Sequence, residues 1–453
     1  MKLGARMLFT DLYELSMARV YHAEGLNGDA VFELFYRRLP QGRNYVLSCG
    51  QTRALQALLD FRITPEEIDW LEGLGRFPGD FLKMLSGLRF TGDVDVIPEG
   101  SVVFPLEPVL RVRAPLIQAQ LVETLLLNTL HAQSVLTSKA ARVVQAAAGR
   151  PVMDFGARKA HGREGAMNLA RAAWVAGAAG TSNVEAGRAL DIPVLGTMAH
   201  SFVQVYGDEA QAFRAFSHYW PETTLLVDTW DTLNGVDRVI ELLRSAGEGP
   251  RPATAVRLDS GDLLELSRAA RQRLDAAGFP EVKIIASSGL DEYAIRDLVG
   301  SGAPIDGFGV GTEWAAVSDA ASIDFAYKLA EYKGEPRIKA SSNKSTWPGP
   351  KQVWRHSEQG RMVGDTVAAA DEPAPEGAEP LLRPAIRAGE VCTGALPPLQ
   401  AVREHAAREL AALPEALRSL TPTDTHYPVA ISDRLESRKQ QLIQRYRGRK
   451  GDD

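Results

Sequence analysis

The chain has 453 residues, long enough for two or three domains and a large core. Hydrophobic residues make up 45% and charged residues 24%, an ordinary globular composition, and no apolar run of about 18 residues is present to span a bilayer. The formal net charge of −6 gives no overall basic field for nucleic acid, and two cysteines, Cys49 and Cys392, are too few for a disulfide framework or a zinc cluster.

The opening MKLGARMLFTDLYELS meets Asp11 too early to hold the apolar region of a secretory signal, so a cytoplasmic protein is expected. TDLYELSMARVYHAEG reads as an amphipathic helix with Thr10 or Asp11 as N-cap. DAVFELFYRRLP partly alternates apolar and polar residues, as a strand does. Residues 51–90 read as helical, and GDVDVIPEGSVVFPLEPVLRVRAP as short strands punctuated by Pro and Gly. LIQAQLVETLLLNTLHAQSVLTSKAARVVQAA reads as one or two buried helices.

From residue 151 the pattern changes. The runs PVMDF, PVLGT, TTLLVDT, TAVRLDS, VKIIASS and IDGFGVGT alternate with helical stretches, which argues for βαβ units and a parallel sheet. Val194 and Leu195 read as strand core, with His200 standing just past the strand end. Nearly every run closes on a polar residue: Asp154, Thr197, Asp228, Asp259, Ser288 and Thr312. Polar residues at all the strand ends favour a closed α/β barrel, where those ends converge. An open doubly wound sheet gathers its ligands at one switch point instead. Beyond the barrel, FAYKLAEYKGEPRIKASSNKSTWPGPKQVWR reads as strands and a basic loop, VAAADEPAPEGAEP as an exposed loop, and LESRKQQLIQRYRGRKGDD as a surface helix that frays.

Several of these strand ends carry residues suited to a phosphorylated sugar. In VRLDSGDLL, Asp259 can accept hydrogen bonds from two ribose hydroxyls, and the planar fork of Arg257 suits a carboxylate. Alternatively, Asp259 or Ser260 caps the next helix and Arg257 makes a structural ion pair. GFGVGTEW and SSGLDEY place Gly311, Thr312, Ser288 and Gly289 where backbone N–H groups can hold a phosphate, although glycine also serves a tight turn. DFGARKAHG offers Arg158, Lys159 and His161 for a diphosphate, or for a solvated loop. Tyr13 can stack on a flat heteroaromatic ring or pack in the core. His200, after the small residues GTMA, is placed as a nucleophile toward phosphorus, since a neutral imidazole is competent near pH 7.

The segments TDLYELSMA, DFGARKAHG, AGTSNVEAGR, LGTMAHSF, VRLDSGD, GFGVGT and PGPKQVWR occur in this order, and together they closely resemble the nicotinate phosphoribosyltransferases, from about Met7 to Arg355. The resemblance implies an irregular, TIM-like α/β barrel of the type II phosphoribosyltransferases over residues 131–320. Residues 1–130 would form a second, α+β domain. Strands of residues 321–453 would return to that domain before a C-terminal helical segment.

It implies an enzyme that makes nicotinate mononucleotide and pyrophosphate from nicotinate and phosphoribosyl pyrophosphate, coupled to ATP hydrolysis through a phosphorylated His200. By the same resemblance Asp259 holds the ribose hydroxyls. Gly311 and Thr312 bind the 5′-phosphate, with Ser288 and Gly289 assisting. Arg158 helps bind the anionic substrates, and Arg257 and Thr197 contact the nicotinate carboxylate. Tyr13, from the second subunit of a homodimer with shared active sites, stacks on the pyridine ring. Magnesium is expected with phosphoribosyl pyrophosphate and ATP, held mainly by phosphate oxygens.

Ser182 stands where nicotinamide-using relatives carry an aspartate, and its neutrality removes repulsion of a carboxylate. The loop departs from the family pattern at Pro350 and in SSNKSTW, which leaves phosphate contacts from Lys344 and Lys351 in doubt. Rival readings are a nicotinamide- or quinolinate-using enzyme of the same fold, and a barrel that binds nucleotide without turnover. An aldolase-like barrel would need a Schiff-base lysine, and none of the six strand ends carries one.

Overall fold

The computed structural model describes residues 7–246, 249–340 and 346–448. The chain divides into two compact units, Met1–Val135 with Ser322–Asp453, and Leu136–Ala321.

The first unit is built on a seven-stranded sheet. Its strand Asp29–Tyr36 pairs antiparallel with Phe325–Tyr332 and with Leu110–Pro115. Every residue of that strand after Asp29 is buried, so the polar position in FEL does not face water. Glu33 instead meets the Lys351 ammonium at 2.6 Å. The helix Leu12–Ala23 starts after Asp11, whose side chain makes no capping bond, while the Thr10 hydroxyl donates to Glu14. Helices Gln51–Leu59, Pro65–Gly73 and Gly79–Gly87 occupy the stretch that reads as helical. The second of these opens with a capping box between Thr64 and Glu67. LIQAQLVETLLL divides into Leu116–Leu121 and the longer Glu123–Ala146.

One expected loop proves to be partly strand. Val367, Ala368 and Ala369 are buried at the end of Arg361–Ala369, where they pair with Lys351–Val353; the mostly exposed turn begins only at Ala370. Acid and proline downstream coloured the whole segment, but three small apolar residues suffice to complete a ladder. The C-terminal helix runs over Asp433–Gly448, and the residues expected to fray lie largely outside the described ones.

The second unit carries a six-stranded parallel sheet whose spatial order gives it its form. Gly180–Thr181 lies beside Val152–Asp154, which lies beside Gly307–Val310, then Lys283–Ala286, Ala253–Leu258 and Thr223–Leu226. The last strand in sequence thus pairs with the first, Phe308 opposite Val152 and Val310 opposite Asp154. That pairing curls the sheet into an irregular barrel, and an open doubly wound sheet does not make it. A single parallel bridge from Thr181 to Val194 extends the wall. Between Val194 and Thr223–Leu226 no ladder forms among the described residues.

This seam corrects the reading of Val194 and Leu195 as strand core. Val194 is 50% exposed, because the segment sits at the uncompleted edge with one bridge for support. Gly180–Thr181 is a strand with no counterpart among the six apolar runs, since two residues between Ala179 and Ser182 carry no apolar signature. The helices that follow the strands begin with strong side-chain caps: Asn183, Asp231, Asp262 and Asp291 each accept from backbone N–H groups of the first turn.

Candidate active site

Asp262, not Asp259 or Ser260, caps the helix after VRLDSGD, accepting from the N–H groups of Leu264 and Glu265 at 3.1 Å. The two preceding residues are therefore available for other work. The Ser260 hydroxyl donates to Asp228 Oδ2 at 2.5 Å, and the Asp259 N–H donates to the same oxygen at 2.9 Å. The Ser287 hydroxyl donates to Asp259 Oδ1 at 2.5 Å. Asp259 is thereby held in one rotamer with its Oδ2 side turned to the remaining polar groups.

Arg257 lies on the same strand, two residues earlier. Its Nη1 donates to the Thr197 hydroxyl at 2.8 Å, and its Nη2 stands 3.8 Å from Asp259 Oδ2. Its Nε is buried and has no hydrogen-bond partner among the described residues. Burial lowers the guanidinium pKa; Asp259 and Asp228 oppose the shift, and the charge of Arg158 adds to it. Two arginines near each other are chemically suited to an anion.

Beneath Arg257 the glycines of GFGVGT set the geometry. A Cβ at Gly309 would come within 2.5 Å of the Phe155 ring, so only glycine lets that ring lie against the strand. The guanidinium carbon of Arg257 sits 5.8 Å from the Phe155 ring centre. A Cβ at Gly156 would strike Leu169 at 2.5 Å, and Gly311 O would be 3.1 Å away. The turns after the paired first and last strands are therefore closely packed. Asp154 is fully buried and accepts from the Thr181 hydroxyl at 2.7 Å and from the Gly156 N–H at 2.8 Å. Burial pushes its pKa up against these bonds. It is a brace for the turn, not a group facing an open cleft.

His200 is the first residue of the helix His200–Tyr206 and is partly exposed. Its Nδ1 lies 3.2 Å from the Thr229 hydroxyl. Its Nε2 lies 3.6 Å from Asp259 Oδ2 and 4.0 Å from Asp228 Oδ1. Asp228 Oδ1 is buried and accepts no hydrogen bond among the described residues. The structure thus gathers Thr197, His200, Arg257 and Asp259 into one constellation, and adds Asp228, Thr229, Ser287 and Phe155. The polar end of TTLLVDT marked Asp228 as a strand end; nothing in the run marked it as the partner of both Ser260 and His200.

The other expected residues of the barrel unit lie just past the ends of its strands. Ser182 donates its N–H to the Asp154 carbonyl at 2.8 Å, next to the cap Asn183. Arg158 and Lys159 are exposed on the 3-10 turn Ala157–Lys159. Ser288 and Gly289 both adopt left-handed backbone, at φ 85° and 59°. Gly311 precedes the short helix Thr312–Ala316. Tyr13 belongs to the first unit, half exposed, with its phenol hydrogen-bonded to the Glu123 carboxylate. Burial and that carboxylate raise its pKa. Lys351, also in the first unit, is buried against Glu33 and donates to the carbonyls of Trp347 and Gly349 at 2.8 and 2.6 Å, while Lys344 lies outside the described residues. No helix among the described residues is long and apolar enough to cross a membrane.

Comparison with known proteins places this arrangement. Three family profiles match in order: the nicotinate phosphoribosyltransferase (NAPRTase) N-terminal domain over residues 8–131, the NAPRTase family over 151–346, and the nicotinate phosphoribosyltransferase C-terminal domain over 375–439. Nicotinate phosphoribosyltransferase pncB2 of Mycobacterium tuberculosis is 53% identical over 94% of this chain and 92% of its own length. The nicotinate phosphoribosyltransferase of Bacillus subtilis is 40% identical over 81% of this chain and 76% of its own. The crystal structure of human nicotinic acid phosphoribosyltransferase is 28% identical, covers 96% of this chain and 99% of that one, and superposes with a TM-score of 0.84. By sequence and by fold, the chain is an enzyme of the nicotinate phosphoribosyltransferase family.

Proposed function

We propose that this enzyme makes nicotinate mononucleotide for NAD salvage, coupled to ATP through a phosphohistidine at His200. The nicotinate ring nitrogen attacks C1 of phosphoribosyl pyrophosphate, the C1–O bond breaks, and pyrophosphate leaves. The ring nitrogen is already a free nucleophile, so the protein's work is to position two reactants and stabilise the charge of the leaving group. Arg257 and Thr197 take the nicotinate carboxylate, and Ser182 leaves it unrepelled. Asp259 takes the ribose hydroxyls. Ser288, Gly289, Gly311 and Thr312 take the 5′-phosphate, and Arg158 the anionic substrates. The half-exposed Tyr13, on a helix that also exposes Leu12 and Val20, supports a homodimer in which Tyr13 closes over the partner's pyridine ring. Sedimentation of a monomer at assay concentration would end that part of the reading.

The observation that carries the ATP coupling is the imidazole of His200, set between Thr229 at Nδ1 and two carboxylates near Nε2. The neutral tautomer with its N–H at Nε2, facing the two carboxylates, is the one that leaves the Nδ1 lone pair for the γ-phosphorus of ATP. The phosphoryl bond to ADP breaks as the N–P bond forms, and water later releases phosphate. Asp228, with a buried free oxygen, and Asp259 are hard donors that suit magnesium bound mainly to phosphate oxygens, and the ion would neutralise charge on the departing pyrophosphate.

The test is product formation from nicotinate and phosphoribosyl pyrophosphate, with and without ATP, for the parent and His200→Ala. ATP should accelerate the parent and leave the variant's slower transfer unchanged. Equal rates without ATP in the parent would refute the phosphohistidine. Nicotinamide or quinolinate consumed as fast as nicotinate would refute the substrate choice.

A further inference from the structure

Outside the constellation, the barrel unit holds a second group of charges that the proposed chemistry does not use. Lys139, on the helix Glu123–Ala146, is 2% exposed. Its ammonium lies 2.6 Å from Glu292 Oε2 and 3.1 Å from Asp319 Oδ1. One turn further, Arg142 donates from Nε to Glu292 Oε1 at 2.8 Å and from Nη2 to the Tyr293 hydroxyl at 3.0 Å. Burial works against the charge of Glu292, yet Lys139 and Arg142 hold its carboxyl below the usual carboxylate range.

The partners of Lys139 matter by their place in the chain. Glu292 is the first residue of the helix Glu292–Gly300 and follows the left-handed turn Ser288–Gly289 by three residues. Asp319 follows the turn Gly311–Thr312 and its short helix. One ammonium therefore spans the far sides of both backbone turns. Ser288 at φ 85° has a side chain in a region that favours glycine, and such strain persists only where the surroundings over-determine it. On one side of that turn Ser287 is fixed to Asp259, and on the other Glu292 is fixed to Lys139 and Arg142. A buried ion pair is weak evidence for stability alone, since apolar packing of equal volume serves as well. A pair that fixes two loops at once has another use.

We propose that Lys139 is a positioning residue for the substrate phosphate, acting through Glu292 and Asp319 to hold the Ser288–Gly289 and Gly311–Thr312 turns at a fixed separation. The inference rests on the reading of those turns as the 5′-phosphate site. Lys139→Met removes the ammonium, and Asp319→Asn, at an exposed position, loosens one arm with less risk to folding. Each folded variant should raise KM for phosphoribosyl pyrophosphate about tenfold, with KM for nicotinate unchanged. Thr312→Glu, which sets a carboxylate at the exposed start of that short helix, tests the phosphate reading itself by repelling the anion. If Thr312→Glu raises that KM and neither other variant does, Lys139 is structural only. If Thr312→Glu also leaves it unchanged, the phosphate site is elsewhere and the inference goes with it. Should Lys139→Met fail to fold, Asp319→Asn decides.

Discussion

Arg355 in the first unit is buried and Arg257 in the barrel is largely so, and both stand near aspartates, yet their donors are engaged very differently. Arg355 engages every donor nitrogen. Nε and Nη2 reach Asp365 at 3.0 and 2.7 Å, Nη1 reaches Glu409 at 2.8 Å, and Nη2 also reaches the Val102 carbonyl at 2.9 Å. Burial alone would lower its pKa, but Asp365 and the carboxylates around it raise it. Arg257 makes one short hydrogen bond, leaves Nε unpartnered, and stands 3.8 Å from its nearest carboxylate. A guanidinium whose every nitrogen is engaged is finished within the fold; one with donors to spare is suited to an anion. The same contrast separates Lys351, with all three protons directed at Glu33 and two carbonyls, from the exposed Arg158.

Exchanging each arginine for methionine would break this contrast if it is wrong. Arg355→Met strands Asp365 and Glu409 in the interior, and breaking a buried pair this way costs about 3–5 kcal/mol. Urea unfolding should show that loss, while the folded enzyme keeps its KM for nicotinate. Arg257→Met should do the reverse, with unfolding little changed. There kcat/KM for nicotinate should fall about a hundredfold, from about 3 kcal/mol of lost charge-assisted bonding. A fall in kcat/KM for Arg355→Met, with stability intact, would invert the assignment.

A smaller effect sharpens the picture of the first unit. His405 touches the Ser101 hydroxyl at 2.8 Å, and burial, with Arg408, Arg383 and Arg355 adding to it, depresses its pKa to about 4. The unfolded chain has a histidine pKa of about 6.5. Between those values the unfolded state binds a proton that the folded state refuses. This group's contribution is therefore complete above about 6.5 and is lost as pH falls toward about 4. His405→Gln should flatten that part of the urea-midpoint profile relative to the parent. Parallel profiles would mean that the imidazole is charged in the folded protein.

The barrel was legible because each strand announces itself twice, by an apolar run and by a polar residue where the run stops. That double signal located Asp154, Asp259 and Thr312. It failed where one half was missing. Gly180–Thr181 has no apolar run, and Val194–Leu195 has one but sits at the seam, where only a single bridge holds it. Side-chain roles were less legible than strand ends, because they depend on which of two neighbours turns inward. The sequence offers Ser287 and Ser288 alike, and only the fold shows that Ser287 braces Asp259. It offers Asp154 and Asp228 alike, and only their hydrogen bonds separate them: both oxygens of Asp154 accept within its own turns, while one oxygen of the equally buried Asp228 side chain accepts none among the described residues.

The pairing of Gly307–Val310 with Val152–Asp154 also sets an order of events. The first barrel strand leaves the ribosome long before its neighbour, so one side of it has no protein partner while the intervening chain is made. An unpaired parallel edge is a template for the wrong strand, and contacts this distant in sequence form late. The turns at Asp154–Gly156 and Gly311 meet only through that closure. A nascent chain stopped short of Gly307 carries His200, Arg257 and Asp259 in order along its length and still lacks the pairing that brings those turns together. For this barrel, closure is a property of the last of its strands to arrive.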